Sequence, residues 1–177
     1  MSLEARQATL KQIIEYHGPI IDLWLPSNIS GTQLLGAIAE NESTFGLHRF
    51  SKHEVSWDQG GKYFQKNLWD KWGSDASCSR SSFQVMYPVC VMEYGLSSDV
   101  APQLLDDDHV AVMYVCKYIK RKFDGGANTL NLIFDAYNSG SHRDTVTEKV
   151  ANYIAKGLKN YQEVRARRGL VGGRILT

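Results

Sequence analysis

Glu42 falls four residues after Ile38 and seven after Leu35, at the end of a segment whose apolar members recur at helical spacing. On a helix that spacing places Glu42 on the apolar face, projecting from it, while Glu40 points away. Burial disfavours the charged form and is expected to raise the carboxyl pKa above the ~4.3 of an unperturbed glutamate, the condition for donating a proton near neutrality. Residue type and spacing together predict a general acid. The same spacing fits a glutamate at a helix end that is held by a hydrogen bond or reaches water, and spacing alone does not choose between them.

The elements that must position such a group read as helices. Leu3, Leu10, Ile13, Ile14 and His17 recur at helical spacing, and Gly18-Pro19 is expected to end a first helix over residues 3–17. Ser30 with Gln33 forms a capping box for a second helix, whose apolar face is Leu34, Leu35 and Ile38. Pro88 and Gly95 bracket a short helix over Val89 to Tyr94, with Gln84 just ahead of it. Asp106, Asp107 and Asp108 precede a nearly all-apolar run that Lys117, Lys120, Arg121 and Lys122 close, a charge order that suits the helix macrodipole. Being apolar all round, this helix is expected to be the centrally buried one. Asn128 is expected to cap a helix over Leu130 to Asn138 that Gly140 ends, and Thr145 with Glu148 to box a last helix facing inward through Val150, Ile154, Leu158 and Tyr161. No strand pattern competes strongly, so the fold class is mainly α. The tail from Arg165 to Thr177 is expected to fray.

At 177 residues the chain suits one domain, 1–177, and 43% hydrophobic against 22% charged residues gives it enough to bury a core. Twenty Lys and Arg against nineteen Asp and Glu leave no nucleic-acid footprint. The longest apolar stretches, Val85 to Met92 and Val110 to Cys116, fall well short of the ~20 residues of a membrane span. The first twenty residues have no apolar h-region, so no signal peptide is visible. Cys78, Cys90 and Cys116 lack any Cys-x-x-Cys spacing and are expected to be buried thiols; with His109 or His142 they could form a thiol hydrolase, but no nucleophile signature surrounds them. His48 and His53 near Glu54 invite a zinc reading that no helical His-x-x-x-His supports, so no metal or other cofactor is called for.

Between His48 and Ser82 the chain becomes polar and aromatic, which reads as an excursion carrying short helices. Its Trp57, Tyr63, Phe64, Trp69 and Trp72 could stack on sugar rings, although such sets more often pack in a core, and core is the expectation.

Several blocks, in order, carry a resemblance. Ala37-Ile38-Ala39-Glu40-Asn41-Glu42-Ser43-Thr44-Phe45 looks like a Glu-Ser motif at the end of a core helix; Ser81-Ser82-Phe83-Gln84-Val85-Met86-Tyr87-Pro88 like a Gly-x-x-Gln-x-Met block; Asp135-Ala136-Tyr137-Asn138-Ser139-Gly140 like an Ala-Tyr-Asn-x-Gly block; and Asn152-Tyr153-Ile154 like a later Tyr-Val block. In these the chain resembles the soluble lytic transglycosylase and goose-type lysozyme superfamily over residues 31–161. The acidic run at Leu104 to Asp108 and the helix after it resemble the segment between the blocks, and Leu47 to Glu54 is similar to an extended first cleft loop in some members. One departure is Ser81, which stands where that superfamily has glycine.

The resemblance implies a lysozyme-like fold with a central buried helix and a glycan-binding cleft. It implies Glu42 as the catalytic acid and base, with Ser43, Gln84, Met86, Tyr137, Asn138 and Tyr153 binding substrate. The substrate class would be peptidoglycan glycan strands, cut at the β-1,4 bond between N-acetylmuramic acid and N-acetylglucosamine at the cell wall or periplasm, by a monomer that is phage-encoded, secretion-associated or trimmed of its leader. A transglycosylase giving 1,6-anhydro products is favoured over a hydrolytic muramidase, which would need a carboxylate such as Glu54, Asp58 or Asp75 to position water. A glycan-binding module without catalysis, motivated by Ser81, and a chitin-directed relative are the other readings.

Overall fold

The computed structural model describes residues 2–48, 51–140 and 146–171. Seven α-helices and a small sheet make up the described fold: α1 (Leu3–Asp22), α2 (Gly31–Ser43), β1 (Lys52–His53), α3 (Lys66–Trp72), β2 (Cys78–Arg80), β3 (Val85–Met86), α4 (Tyr87–Tyr94), α5 (Asp108–Asp124), α6 (Leu130–Ser139) and α7 (Glu148–Val171). Mainly α is thus the fold class. Among the described residues no helix is long and apolar enough to cross a membrane. The residues group into two compact units, one drawn from 1–13 and 42–118, the other from 14–41 and 119–171.

In the first unit the strands form an antiparallel sheet in the order β1-β2-β3, with Lys52 opposite Ser79 and Ser79 opposite Met86. Strands of two or three residues are too short to display the alternation by which a strand is recognised in sequence, which is why no strand pattern competes there. Short 3-10 turns at Val55–Trp57, Gly73–Ser77 and Pro102–Asp106 connect these elements. The core of this unit is Leu68, Ala76, Tyr87, Cys90, Leu96 and Leu105. Tyr87 stays buried because its hydroxyl donates to the Val100 carbonyl at 2.9 Å.

In the second unit α2 is buried continuously from Leu34 to Ala39. Each fully buried leucine or isoleucine there contributes about 1.5–3 kcal/mol of transfer free energy. The first helix does not stop at residue 17: it continues through Pro19 to Asp22. Gly18 serves close approach instead of termination, since a Cβ at that position would lie 2.1 Å from Thr32 Oγ1, and Ile21 in the last turn is fully buried. Burial of that turn offsets the hydrogen bond Pro19 cannot donate.

Other expectations are also corrected. The apolar run of α5 is not buried all round: α5 buries one stripe (Asp108, Ala111, Val112, Val115, Ile119) while Met113 is 52% exposed, whereas α2 is buried continuously from Leu34 to Ala39. The outward positions of α5 hold apolar side chains, which hid the stripe in the sequence. The cap of α6 is Thr129, whose Oγ1 accepts from Leu132 N, and not Asn128. At the start of α7, Thr147 Oγ1 accepts from Val150 N at 3.4 Å, while the expected Thr145–Glu148 box rests on a residue that is not described. Thr145 and His142 lie outside the described residues, as do 172–177 of the tail; residues 165–171 are helical as the last turns of α7. Cys78 and Cys90 are buried but Cys116 is only partly so.

Candidate functional site

Glu42 is half-buried, one residue before the end of α2. The residues on either side of it are anchored by different elements. Asn41 is gripped by α7: its Nδ2 donates to the Tyr153 carbonyl at 3.3 Å, its Oδ1 accepts from Asn160 Nδ2 at 2.6 Å, and its own carbonyl accepts from Lys156 Nζ at 3.1 Å. Ser43 is buried, its Oγ accepting from Gly46 N at 2.8 Å and its carbonyl from His48 N at 2.9 Å. The helix therefore ends in a tight turn in which Thr44 (φ 51°), Phe45 (φ 52°) and Gly46 (φ 81°) are all left-handed. Gln7 of α1 donates to the Phe45 carbonyl at 3.3 Å and holds the turn closed. No local pattern in the sequence announces these three bonds of Asn41 to α7, more than a hundred residues later.

A second strained turn joins β2 to β3. Ser81 has φ 70° and Gln84 φ 51°. Left-handed geometry costs an L-residue roughly 1–2 kcal/mol, so side chains must hold it in place. Ser81 Oγ accepts from Phe83 N at 3.2 Å, Gln84 Nε2 donates to the Ser81 carbonyl at 2.9 Å, and Ser79 Oγ lies 2.9 Å from Gln84 Oε1. That same hydroxyl sits 3.2 Å from Glu54 Oε1 and 3.3 Å from the Lys52 carbonyl. One hydroxyl proton serves three acceptors, and the shortest contact, to Gln84, is its best partner. Glu54 in turn pairs with Lys52 Nζ at 2.7 Å. The two turns meet: a Cβ built on Gly46 would stand 3.3 Å from Ser82 Oγ.

Acidic residues 106–108 anchor the second turn. Asp108, 7% exposed, accepts from Ser82 N at 2.8 Å and from Ser82 Oγ at 2.9 Å. The Arg80 side chain, 3% exposed, lies between Asp106 at 3.1 Å and Asp75 at 2.7 Å, and Asp75 also accepts from Gln103. Asp58 pairs with His53 at 3.1 Å. Of Glu54, Asp58 and Asp75, Glu54 is the one joined to the Gln84 turn through the Ser79 hydroxyl, while Asp75 pairs with Arg80 and Asp58 with His53. A cavity of about 430 Å³ lined by Arg6, Thr9, Asp106, Asp107, Asp108 and His109 opens beside this segment, and none of the predicted site residues lines it.

The first unit accordingly holds Glu42, Ser43, Gln84 and Met86, the last half-buried at the start of α4. The second unit holds Tyr137, Asn138 and Tyr153. Tyr137 is half-buried and Asn138 exposed on α6, while the Tyr153 ring meets Phe134 edge-on at 6.5 Å. Phe134 reaches α7 because Gly157 leaves it room: a Cβ there would be 2.7 Å from its ring. Burial pushes the Cys90 thiol up to about 12 and that of Cys116 to about 11, which removes both as nucleophiles near neutral pH. No protein-family model, no curated protein and no solved structure matches the chain.

Proposed function

We propose that the chain is a lysozyme-like, glycan-cleaving enzyme that cuts the β-1,4 bond between N-acetylmuramic acid and N-acetylglucosamine in peptidoglycan, acting at the cell wall as a monomer with Glu42 as its acid and base. The observation that carries this reading is the placement of backbone strain. Among the described residues the non-glycine positions with positive φ are Thr44, Phe45, Ser81 and Gln84, which are the two turns that follow Glu42 and precede Met86. Strain of this kind persists only where surrounding structure over-determines it, and it concentrates at active sites. Both turns coincide with blocks that carry the superfamily resemblance.

In the proposed reaction the Glu42 carboxyl gives its proton to the glycosidic oxygen as the bond to the muramoyl C1 breaks. The resulting carboxylate takes the proton of the muramoyl 6-hydroxyl, whose oxygen closes on C1 to form the 1,6-anhydro ring. No water and no second carboxylate enters this balance. Gln84, Met86, Tyr137, Asn138 and Tyr153 are assigned to the glycan. One observation favours the hydrolytic alternative: Glu54 shares the Ser79 hydroxyl with Gln84, so a second carboxylate belongs to the same turn.

Incubation with purified peptidoglycan and mass spectrometry of the soluble products tests the assignment. Anhydro-muropeptides support the transglycosylase, reducing ends the muramidase, and binding without release a non-catalytic glycan module. Glu42→Gln is expected to abolish release and spare binding; cleavage by that variant at the wild-type rate defeats the assignment.

A further inference from the structure

Of the excursion's aromatic residues, Trp72 packs against the core of the first unit, as expected, and its Nε1 donates to the Ser98 carbonyl at 3.0 Å, but the other four are not core. Trp57, Phe64 and Trp69 are only partly buried and Tyr63 is 43% exposed. They form two ring pairs, Trp57 with Tyr63 at 5.2 Å and 35°, and Phe64 with Trp69 at 5.8 Å and 64°. A folded chain gains little by leaving four clustered aromatic rings partly in water, and clustered exposed apolar surface marks a binding surface.

The arrangement is also rigid. Gly61 N donates to the Asp58 carbonyl at 2.7 Å, Tyr63 N to the Ser56 carbonyl at 2.8 Å and Phe64 N to the Gly61 carbonyl at 3.2 Å, while Ser77 Oγ donates to the Trp57 carbonyl at 3.1 Å. Gly61 is what lets this loop close, because a Cβ there would stand 2.5 Å from the Val55 carbonyl oxygen and 2.6 Å from that of Ser56. The rings are thus preformed, and little ordering cost falls on binding.

We propose that Trp57, Tyr63, Phe64 and Trp69 form a stacking surface for the pyranose rings of an amino-sugar strand, a subsite of the glycan-cleaving site proposed above, on which reading it rests. Two features select a sugar as the occupant. A pyranose presents an apolar C–H face, which suits the negative face of an aromatic ring, and a rim of hydroxyls; here the rings are interleaved with Asp58, Gln59, Lys62 and Gln65, and Lys62 Nζ lies 5.0 Å from the Tyr63 centroid. The core of a protein interface is instead depleted of such charges. Continuity is the second feature, since the surface begins at the Val55–Trp57 turn directly after Glu54, whose carboxylate shares Ser79 with Gln84.

The test is binding of wild-type and Glu42→Gln chains to insoluble peptidoglycan and to soluble chitooligosaccharides, with Tyr63→Ala, Trp69→Ala, Gly61→Ala and Tyr63→Phe placed in the Glu42→Gln background. The ring deletions are expected to weaken binding about five- to tenfold, as loss of an aromatic contact does, with Gly61→Ala following them and Tyr63→Phe close to the parent. Tyr63→Ala, at an exposed position, keeps the parent's melting temperature and so separates binding from folding. If the parent binds and all four variants bind equally, the stacking surface is wrong and the enzymatic reading stands. If neither wild type nor Glu42→Gln binds either glycan, both fall. A Tyr63→Ala chain that loses self-association and keeps glycan affinity shows the rings to be a contact between copies and overturns the proposal.

Discussion

Replacing Asp108 by alanine probes the anchor on which the Gln84 turn depends. The carboxylate accepts from Ser82 N at 2.8 Å and from Ser82 Oγ at 2.9 Å, with Ser82 fully buried. A hydrogen bond to a charged group contributes about 1.5–3 kcal/mol, and a buried donor left without an acceptor costs about 1–3 kcal/mol. Against this, the variant no longer desolvates a carboxylate, which returns part of the loss. The acid also sits in the first turn of α5, where it favours the helix by about 0.3–1 kcal/mol. Together these terms predict a loss of about 3 kcal/mol, a large share of a typical 5–15 kcal/mol stability. Urea melts followed by circular dichroism read it as a lower midpoint at unchanged slope. Asp107→Ala is the control: it changes the same charge one residue away, is exposed, and loses one bond from His109 N, worth about 1 kcal/mol. A double-mutant cycle of Asp108→Ala with Ser82→Ala is expected to return about 2 kcal/mol of coupling. If Asp108→Ala costs no more than Asp107→Ala, the anchoring argument is refuted.

Two glycines of the second unit should respond with opposite signs. Gly18→Ala drives a Cβ to 2.5 Å from the Thr32 Cα, which cannot move aside as a side chain can, and is expected to cost about 3 kcal/mol in thermal melts; Gly36→Ala meets only Val164 methyls at 3.4 Å and gains helix propensity, so it is expected to be neutral or stabilising by up to about 1 kcal/mol. Burial holds the Cys90 thiol protonated up to about 12, against 9.0 when unfolded. Its stabilising effect is therefore complete below pH 9 and lost as pH rises toward 12, at about 1.4 kcal/mol per pH unit. Urea melts at pH 8 and 10.5 should show wild type losing about 2 kcal/mol more than Cys90→Val, and equal losses would contradict it. Glu42→Asp withdraws the carboxyl by one methylene and is expected to slow glycan release about a hundredfold with binding intact, read in the mass-spectrometric assay.

The helices were legible where side-chain periodicity met a stop. Leu34, Leu35 and Ile38 marked α2, and its Ser30 cap is present, the Ser30 Oγ lying 3.5 Å from Gln33 N. Pro88 and Gly95 bracket α4, with Gly95 left-handed. Legibility failed where tertiary packing assigned a residue a different task. Gly18 looked like a stop and is a point of close approach; the apolar run of α5 looked buried all round and buries one stripe. The acidic residues before α5 read as dipole partners of that helix, yet Asp106 and Asp108 also hold Arg80 and Ser82 of a turn some 26 residues earlier. No local pattern announces such a long-range bond. The excursion's aromatics illustrate the same limit, because ring count cannot say whether a cluster faces in or out.

Ser81 is where the resemblance was weakest and where the backbone now says most. A glycine is expected at a position that must be left-handed, and Ser81 has φ 70° with almost no exposure. The turn adopts the conformation that a glycine would permit, with a side chain in place. What offsets the strain is local hydrogen bonding, since Ser81 Oγ accepts from Phe83 N at 3.2 Å and the Ser81 main-chain carbonyl accepts from Gln84 Nε2 at 2.9 Å. The first of these bonds needs the hydroxyl that serine has and alanine lacks, as short polar side chains satisfy the backbone locally. The geometry of this turn does not separate a glycan-binding module from a glycan-cleaving enzyme, since either can use it; that distinction rests on Glu42 and on the products that wild type and Glu42→Gln release from peptidoglycan.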